Sequence, residues 1–141
     1  MNTCYIYDAV RTPRGRGKAN GALHTSTSLH LTSTCLNALV ERNSFDPKII
    51  DEVLIGCVMP VGEQGGNIAR SATLAAGFPH TTPALQVNRF CSSSLDAINL
   101  AAAKVLAGHA SYTIAGGVES MSRIPMNADG GALIARPKSC L

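Results

Sequence analysis

Short β-rich runs alternate with segments of helical period along this chain, and that alternation leaves few folds open. "TCYIYDAV" (3–10) predicts a strand that the Pro and Gly of "RTPRGRGKANG" bring to a stop. Residues 28–42 place Leu31, Cys35, Leu39 and Val40 at helical spacing behind a Ser/Thr cluster suited to capping. "DEVLIGCV" (51–58) suits a buried strand, and a Gly-rich turn then leads into a helix carrying Ile68, Ala69, Ala72, Ala75 and Ala76 that ends at Gly77. "PALQV" (83–87) predicts a third strand, residues 91–107 a third helix closed by Gly108, and "SYTIAGG" (111–117) a fourth strand. The order β-α-β-α-β-α-β predicts an α/β fold, a mostly parallel sheet layered between helices with right-handed crossovers. From Ser120 onward no period is sustained, so the expected organisation is an α/β domain over 1–118 and an irregular segment over 119–141.

The length of 141 residues suits one compact domain or part of one. A composition 45% hydrophobic and 15% charged lies far from that of disordered chains, so the segment folds. The formal charge is +3 and only "RTPRGRGK" concentrates it, while aromatics make up 4%, which argues against a nucleic-acid partner. Apolar runs break well before membrane-spanning length and no secretory h-region opens the chain, so a soluble, cytoplasmic protein without membrane contact is expected. The cysteines Cys4, Cys35, Cys57, Cys91 and Cys140 are odd in number and widely spaced, without a CxxC pair, so neither a disulfide framework nor a metal site is expected.

Cys4, Cys35 and Cys57 lie inside apolar patterns, where cysteine acts as a small hydrophobe. Cys91 differs: in "VNRFCSSSLDAINLAAAKVL" it follows a strand and opens a helix whose inner face is read as Leu95, Ile98, Ala101, Ala102 and Val105. The positive end of a helix favours an anion, and the thiolate is the nucleophilic form of cysteine. Ser92, Ser93 and Ser94 leave room for an acyl group, and the Cys91 backbone N–H is placed to face a developing oxyanion. Local context leaves two readings open, an inert buried cysteine and an activated nucleophile. Cys91 and the "GGVESMS" turn both fall at the carboxyl edge of the expected sheet, where α/β folds place their sites.

Four stretches carry a family resemblance: "AVRTPRGRGKANGAL" (9–23), "IIDEVLIGCVMPVGEQGGNIAR" (49–70), "VNRFCSSSLDAINLAAAKVLAG" (87–108) and "AGGVESMSRIPM" (115–126). Together they resemble the N-terminal half of the thiolases, acyltransferases acting on acyl-CoA, with Asn88 three residues before the cysteine as in the family's acyl-enzyme signature. "EQGGNIAR" and "VNRFC" are more similar to degradative 3-ketoacyl-CoA thiolases, of fatty-acid β-oxidation, than to biosynthetic ones. The resemblance implies a layered α/β/α fold and Cys91 as the acyl-accepting nucleophile of a ping-pong reaction. Coenzyme A and acyl-CoA would be substrates, with no permanently bound cofactor and no metal. It also implies a homodimer or tetramer paired through the edge strand 83–88, with Pro83 and Asn88 at its ends.

Two departures stand beside it. Ser92 occupies a position that is commonly Gly in the family, and the family's last strand of this half, its CoA-gripping loop domain and its second half, with an activating His and a second acid/base Cys, have no counterpart here. His24, His30, His80 and His109 match no catalytic motif, and Cys140 is not read as the second cysteine. The chain is therefore expected to be nearly inactive alone, with a dimerising fragment or a partner of a separate C-terminal half as the alternative. No CoA-binding residues are assigned. "RTPRGRGK" reads as a solvated loop, "GEQGGNIAR" lacks phosphate-loop spacing, and Asn67, Arg70 and Glu119 read as structural hydrogen-bonding residues.

Overall fold

Residues 53–56 are buried one after another, which a strand achieves only at the centre of a sheet covered on both faces. The computed structural model, which describes residues 3–130, places that strand accordingly. The elements are α1 (Ser28–Asn43), β1 (Glu52–Gly56), α2 (Ile68–Ala75), β2 (Ala84–Val87), α3 (Ser93–Leu106) and β3 (Thr113–Gly117), with 3-10 turns at Pro47–Ile49 and Gly62–Gln64. The three strands are parallel in the order β2-β1-β3. Val53 lies beside Ala84 and Ile114, and Leu54 beside Leu85 and Ala115.

Alternation along β1 sorts the helices into layers. Val53 and Ile55 join Leu36 of α1, Ala69 and Ala72 of α2, and Phe78 in one core cluster. Leu54 points the other way, into a second cluster with Ala97 and Ala101 of α3. Full burial stabilises each such Val, Leu or Ile side chain by about 1.5–3 kcal/mol. The α/β/α layering read from the sequence is thus the fold of the chain. Local signals end the helices as expected. Thr27 Oγ1 accepts from the His30 N–H to cap α1, and Gly77 after α2 and Gly108 after α3 take the left-handed φ of 79° and 76° that glycine adopts without strain.

One expected strand is absent among the described residues. Residues 3–10 form no ladder, and Tyr5, Ile6 and Tyr7 are 69%, 84% and 80% exposed. Thr3, Cys4, Tyr5 and Tyr7 line a cleft with Val105, Ser111, Tyr112 and Thr113, so the segment flanks the start of β3 without joining the sheet. Asp8 ties it instead to the end of α1, pairing with Arg42 at 3.1 Å and accepting from Asn43 Nδ2 at 2.8 Å. A β-rich composition does not by itself make a strand, even beside the edge that β3 presents. No helix among the described residues is long and apolar enough to cross a membrane. The segment 131–141, with Cys140, lies outside the described residues.

Candidate active site

The carboxyl ends of β1 and β3 converge on the start of α3, as the sequence led us to expect. This contact needs glycine twice: a Cβ on Gly56 would lie 2.4 Å from the Ser93 carbonyl carbon, and one on Gly117 would lie 1.9 Å from Ser94 Oγ. Cys91 stands in the turn that leads from β2 into this contact. It is exposed, whereas Cys57 is buried and Cys4 and Cys35 are half-buried. Burial pushes the Cys57 thiol up to about 11, with the nearby Glu119 carboxylate adding to the effect.

Two details of the sequence reading are corrected. Cys91 is not in the first turn of α3: the helix begins at Ser93 with Ser92 as its N-cap, so Cys91 precedes the cap. The reason is the turn itself, which places Phe90, at φ 47°, in a sharp reversal before the helix can start. Nor is the apolar side of α3 buried throughout. Ala97 and Ala101 meet the sheet, but Leu95 and Ile98 are 59% and 41% exposed, because only the small-residue face fits against Leu54.

The turn is held by short-range polar contacts. Asn88 Oδ1 accepts from the Phe90 N–H at 3.0 Å, while Ser93 Oγ accepts from the Arg89 N–H at 2.9 Å and donates to the Phe90 carbonyl at 2.6 Å. The Ser92 and Ser93 N–H groups donate to the carbonyls of Arg89 and Phe90. Arg89 pairs with Asp96 at 2.9 Å, linking the turn to the first turn of α3.

Behind the turn lies a polar network that sequence reasoning missed. Gln64 is fully buried and uses its whole amide: Oε1 accepts from Ser28 Oγ and the Ser120 N–H, both at 2.8 Å, while Nε2 donates to the Met59 carbonyl and Glu119 Oε1. Glu119 Oε2 accepts from the Val58 N–H at 2.7 Å, which gives it the structural role expected of it. Glu63 accepts from Arg123 through both oxygens and also takes the Ser28 N–H at the start of α1. These bonds, those from Arg123 foremost, hold its carboxyl below the usual glutamate range. Apart from Gln64 and Met59, which are five residues apart, the partners lie 35 to 61 residues apart, and no local spacing announces them.

The remaining candidates have plain surroundings. His24 Nδ1 lies 3.0 Å from the Ser122 carbonyl, and His30, His80 and His109 are exposed; none of the four is hydrogen-bonded to Cys91. Arg14, Arg16 and Lys18 are exposed in the loop before α1. At the start of α2 the Ile68 N–H donates to Gln86 Oε1 and the Arg70 N–H to Asn67 Oδ1. Asn67 and Arg70 knit this region to the chain around β2 through the carbonyls of Ala84, Thr82 and His80, as the sequence suggested.

Comparison with known proteins bears on the same residues. The family profile described as "Thiolase, N-terminal domain" matches residues 4–135. A "3-ketoacyl-CoA thiolase" of Photobacterium profundum is 44% identical over 90% of this chain and 33% of its own length. One of Saccharophagus degradans is 46% identical over 86% of the chain and 31% of its own length. The "Steroid 3-ketoacyl-CoA thiolase FadA6" of Mycobacterium tuberculosis is 41% identical over 91% of the chain and 31% of its own length. The chain thus spans about a third of the curated relatives it matches. With its α/β/α layers, and with the profile running through the turn that carries Cys91, the chain belongs to the thiolase family.

Proposed function

We propose that this chain carries the nucleophile of a thiolase and that Cys91 is that nucleophile. Cys91 Sγ attacks the 3-keto carbonyl of a 3-ketoacyl-CoA, and the C2–C3 bond breaks. The acyl group stays on sulfur as a thioester, and acetyl-CoA leaves after its C2 takes up a proton. The thiol of free CoA then attacks the acyl-cysteine, releasing acyl-CoA and regenerating the Cys91 thiol. The reverse sequence condenses two acyl-CoAs. The observation that supports this reading is the position of Cys91, exposed at the tip of a hydrogen-bonded turn inside the matched region. The Cys91 backbone N–H contributes to the oxyanion site in this reading.

No histidine among the described residues bonds Cys91, so turnover by the isolated chain is expected to fall by about 10²–10⁴ for want of a general base. The test is to incubate the chain with a short 3-ketoacyl-CoA, follow thiolysis, and map acyl mass by peptide. Slow turnover with acyl mass on Cys91, lost in Cys91→Ser, is expected. Acyl mass spread equally over the other cysteines would remove the assignment.

The exposed apolar side of α3, Leu95, Ile98 and Leu106, supports a second reading in which the chain acts as one half of an assembly with a separate C-terminal half. Sedimentation with and without that half tests it, and a monomer indifferent to the partner would count against it. For self-association we propose the edge strand 83–88, whose outward carbonyl at Ala84 is already taken by Asn67, leaving the Gln86 end for pairing. Leu85→Lys is expected to abolish any dimer seen in sedimentation; a dimer that persists points to another surface.

A further inference from the structure

Phe90 is the residue in the turn whose conformation is hardest to explain from its own chemistry. A non-glycine residue at φ 47° carries a steric penalty that neighbours must offset, and this side chain is 72% exposed, so packing does not hold it. Asn88 does hold the backbone there. Its Oδ1 accepts from the Phe90 N–H at 3.0 Å, closing a local ring that stabilises the reversal, and its Nδ2 donates to the Val58 carbonyl at 3.0 Å. The N–H of the same Val58 donates to Glu119 Oε2 at 2.7 Å. Val58 is thus gripped from both sides, by Asn88 in front of Cys91 and by Glu119 behind β3, and Glu119 is fixed in turn by Gln64. Cys91 is the next residue after Phe90, so the direction in which it leaves the turn is set by the Phe90 dihedrals.

We infer that Asn88 is the positioning residue for Cys91, holding Phe90 in its left-handed conformation and anchoring the turn through Val58 to Glu119. The inference rests on the reading of Cys91 as nucleophile for its consequence, but its test does not pass through the chemistry. Asn88 touches neither substrate nor reacting atom in this role.

The experiment is amide hydrogen exchange on the whole chain, read at Arg89, Ser92 and Ser93, with Leu54 and Ile55 of β1 as the internal standard for global stability. Asn88→Ala is expected to lower protection of the turn amides by about tenfold while the β1 amides hold, the scale of one unrelieved left-handed residue. Asn88→Asp keeps the acceptor toward the Phe90 N–H and is expected to stay within about threefold of the parent. The decisive arm is Phe90→Gly, which adopts positive φ without help and loses little packing: in that background Asn88→Ala is expected to cost less than about threefold. Unchanged turn amides in Asn88→Ala, equal losses in both backgrounds, or equal losses in β1 would each overturn the assignment. If exchange behaves as expected while Cys91 takes up no acyl group, the role of Asn88 stands and the proposed chemistry falls. If Cys91 is acylated while the turn amides ignore Asn88→Ala, the chemistry stands and the role of Asn88 falls.

Discussion

Gly56 and Ser93 meet backbone to backbone: a Cβ on Gly56 would stand 2.4 Å from the Ser93 carbonyl carbon and 2.5 Å from the Ser94 nitrogen. The atoms in the way are backbone, so they yield only if α3 lifts off the sheet. Gly56→Ala is therefore expected to destabilise the chain by about 1–3 kcal/mol, the range for overpacking a fitted core, read as a lower urea midpoint. Gly116 is the control. It also lies in a strand, but a Cβ there meets nothing within 4 Å, and Gly116→Ala should leave the midpoint unchanged or raise it slightly.

Gln64 supplies the second prediction. Gln64→Leu keeps the volume and removes every hydrogen bond of the buried amide, stranding the Ser120 N–H, whereas the Met59 carbonyl keeps its bond from the Val61 N–H. A buried unsatisfied group costs about 1–3 kcal/mol, and the stranded Ser120 N–H places the loss in that range in equilibrium unfolding. A loss under about 1 kcal/mol would mean that water replaces the amide at little cost.

How much of this was legible in the sequence depends on the range of the interaction. The helices announced themselves through local signals, the Thr27 cap and the glycines at 77 and 108. The continuous apolar run of β1 marked it as a buried strand, and it lies at the centre of the parallel sheet. The segment 3–10 misled because β-propensity records a side chain's fit to a pleated surface and does not by itself form the ladder, even beside the edge of β3. Leu95 and Ile98 misled for a related reason: helical periodicity marks an apolar face without saying which part the sheet covers. At the candidate site, Cys91 and the Ser run were visible as chemistry. The clamp by Asn88 and the network around Gln64 were not, since they join residues that only the crossovers bring together.

The cysteines make a third prediction through their different surroundings. With its thiol pushed up to about 11, Cys57 is about one part in a thousand thiolate at pH 8, and it is buried besides. Iodoacetamide at that pH is expected to modify exposed Cys91 in the native chain and to reach Cys57 only as the chain unfolds. Peptide-resolved labelling in rising urea checks this. Cys57 modification should follow the unfolding curve, and modification well below the transition would show that β1 opens locally.

The Glu63–Arg123 pair makes the last prediction, and its sign follows from the direction of the shift. Hydrogen bonds from Arg123, helped by the Ser28 N–H and opposed by burial, lower the folded-state pKa of Glu63 below its unfolded value of about 4.3. A depressed carboxylate contributes stability that is present in full above the unfolded pKa and is lost as pH falls through the folded one. Arg123→Met removes the largest of those causes. The parent chain is expected to exceed the variant in urea midpoint at pH 7, and the gap is expected to close as pH falls below about 4.3. Asp51, held low by the Tyr112 and Ser111 N–H groups, is common to both proteins and cancels in the difference. A gap that survives unchanged at about pH 3, below the unfolded glutamate value, would assign Arg123's contribution to its bond with the His24 carbonyl, which is indifferent to the charge on Glu63.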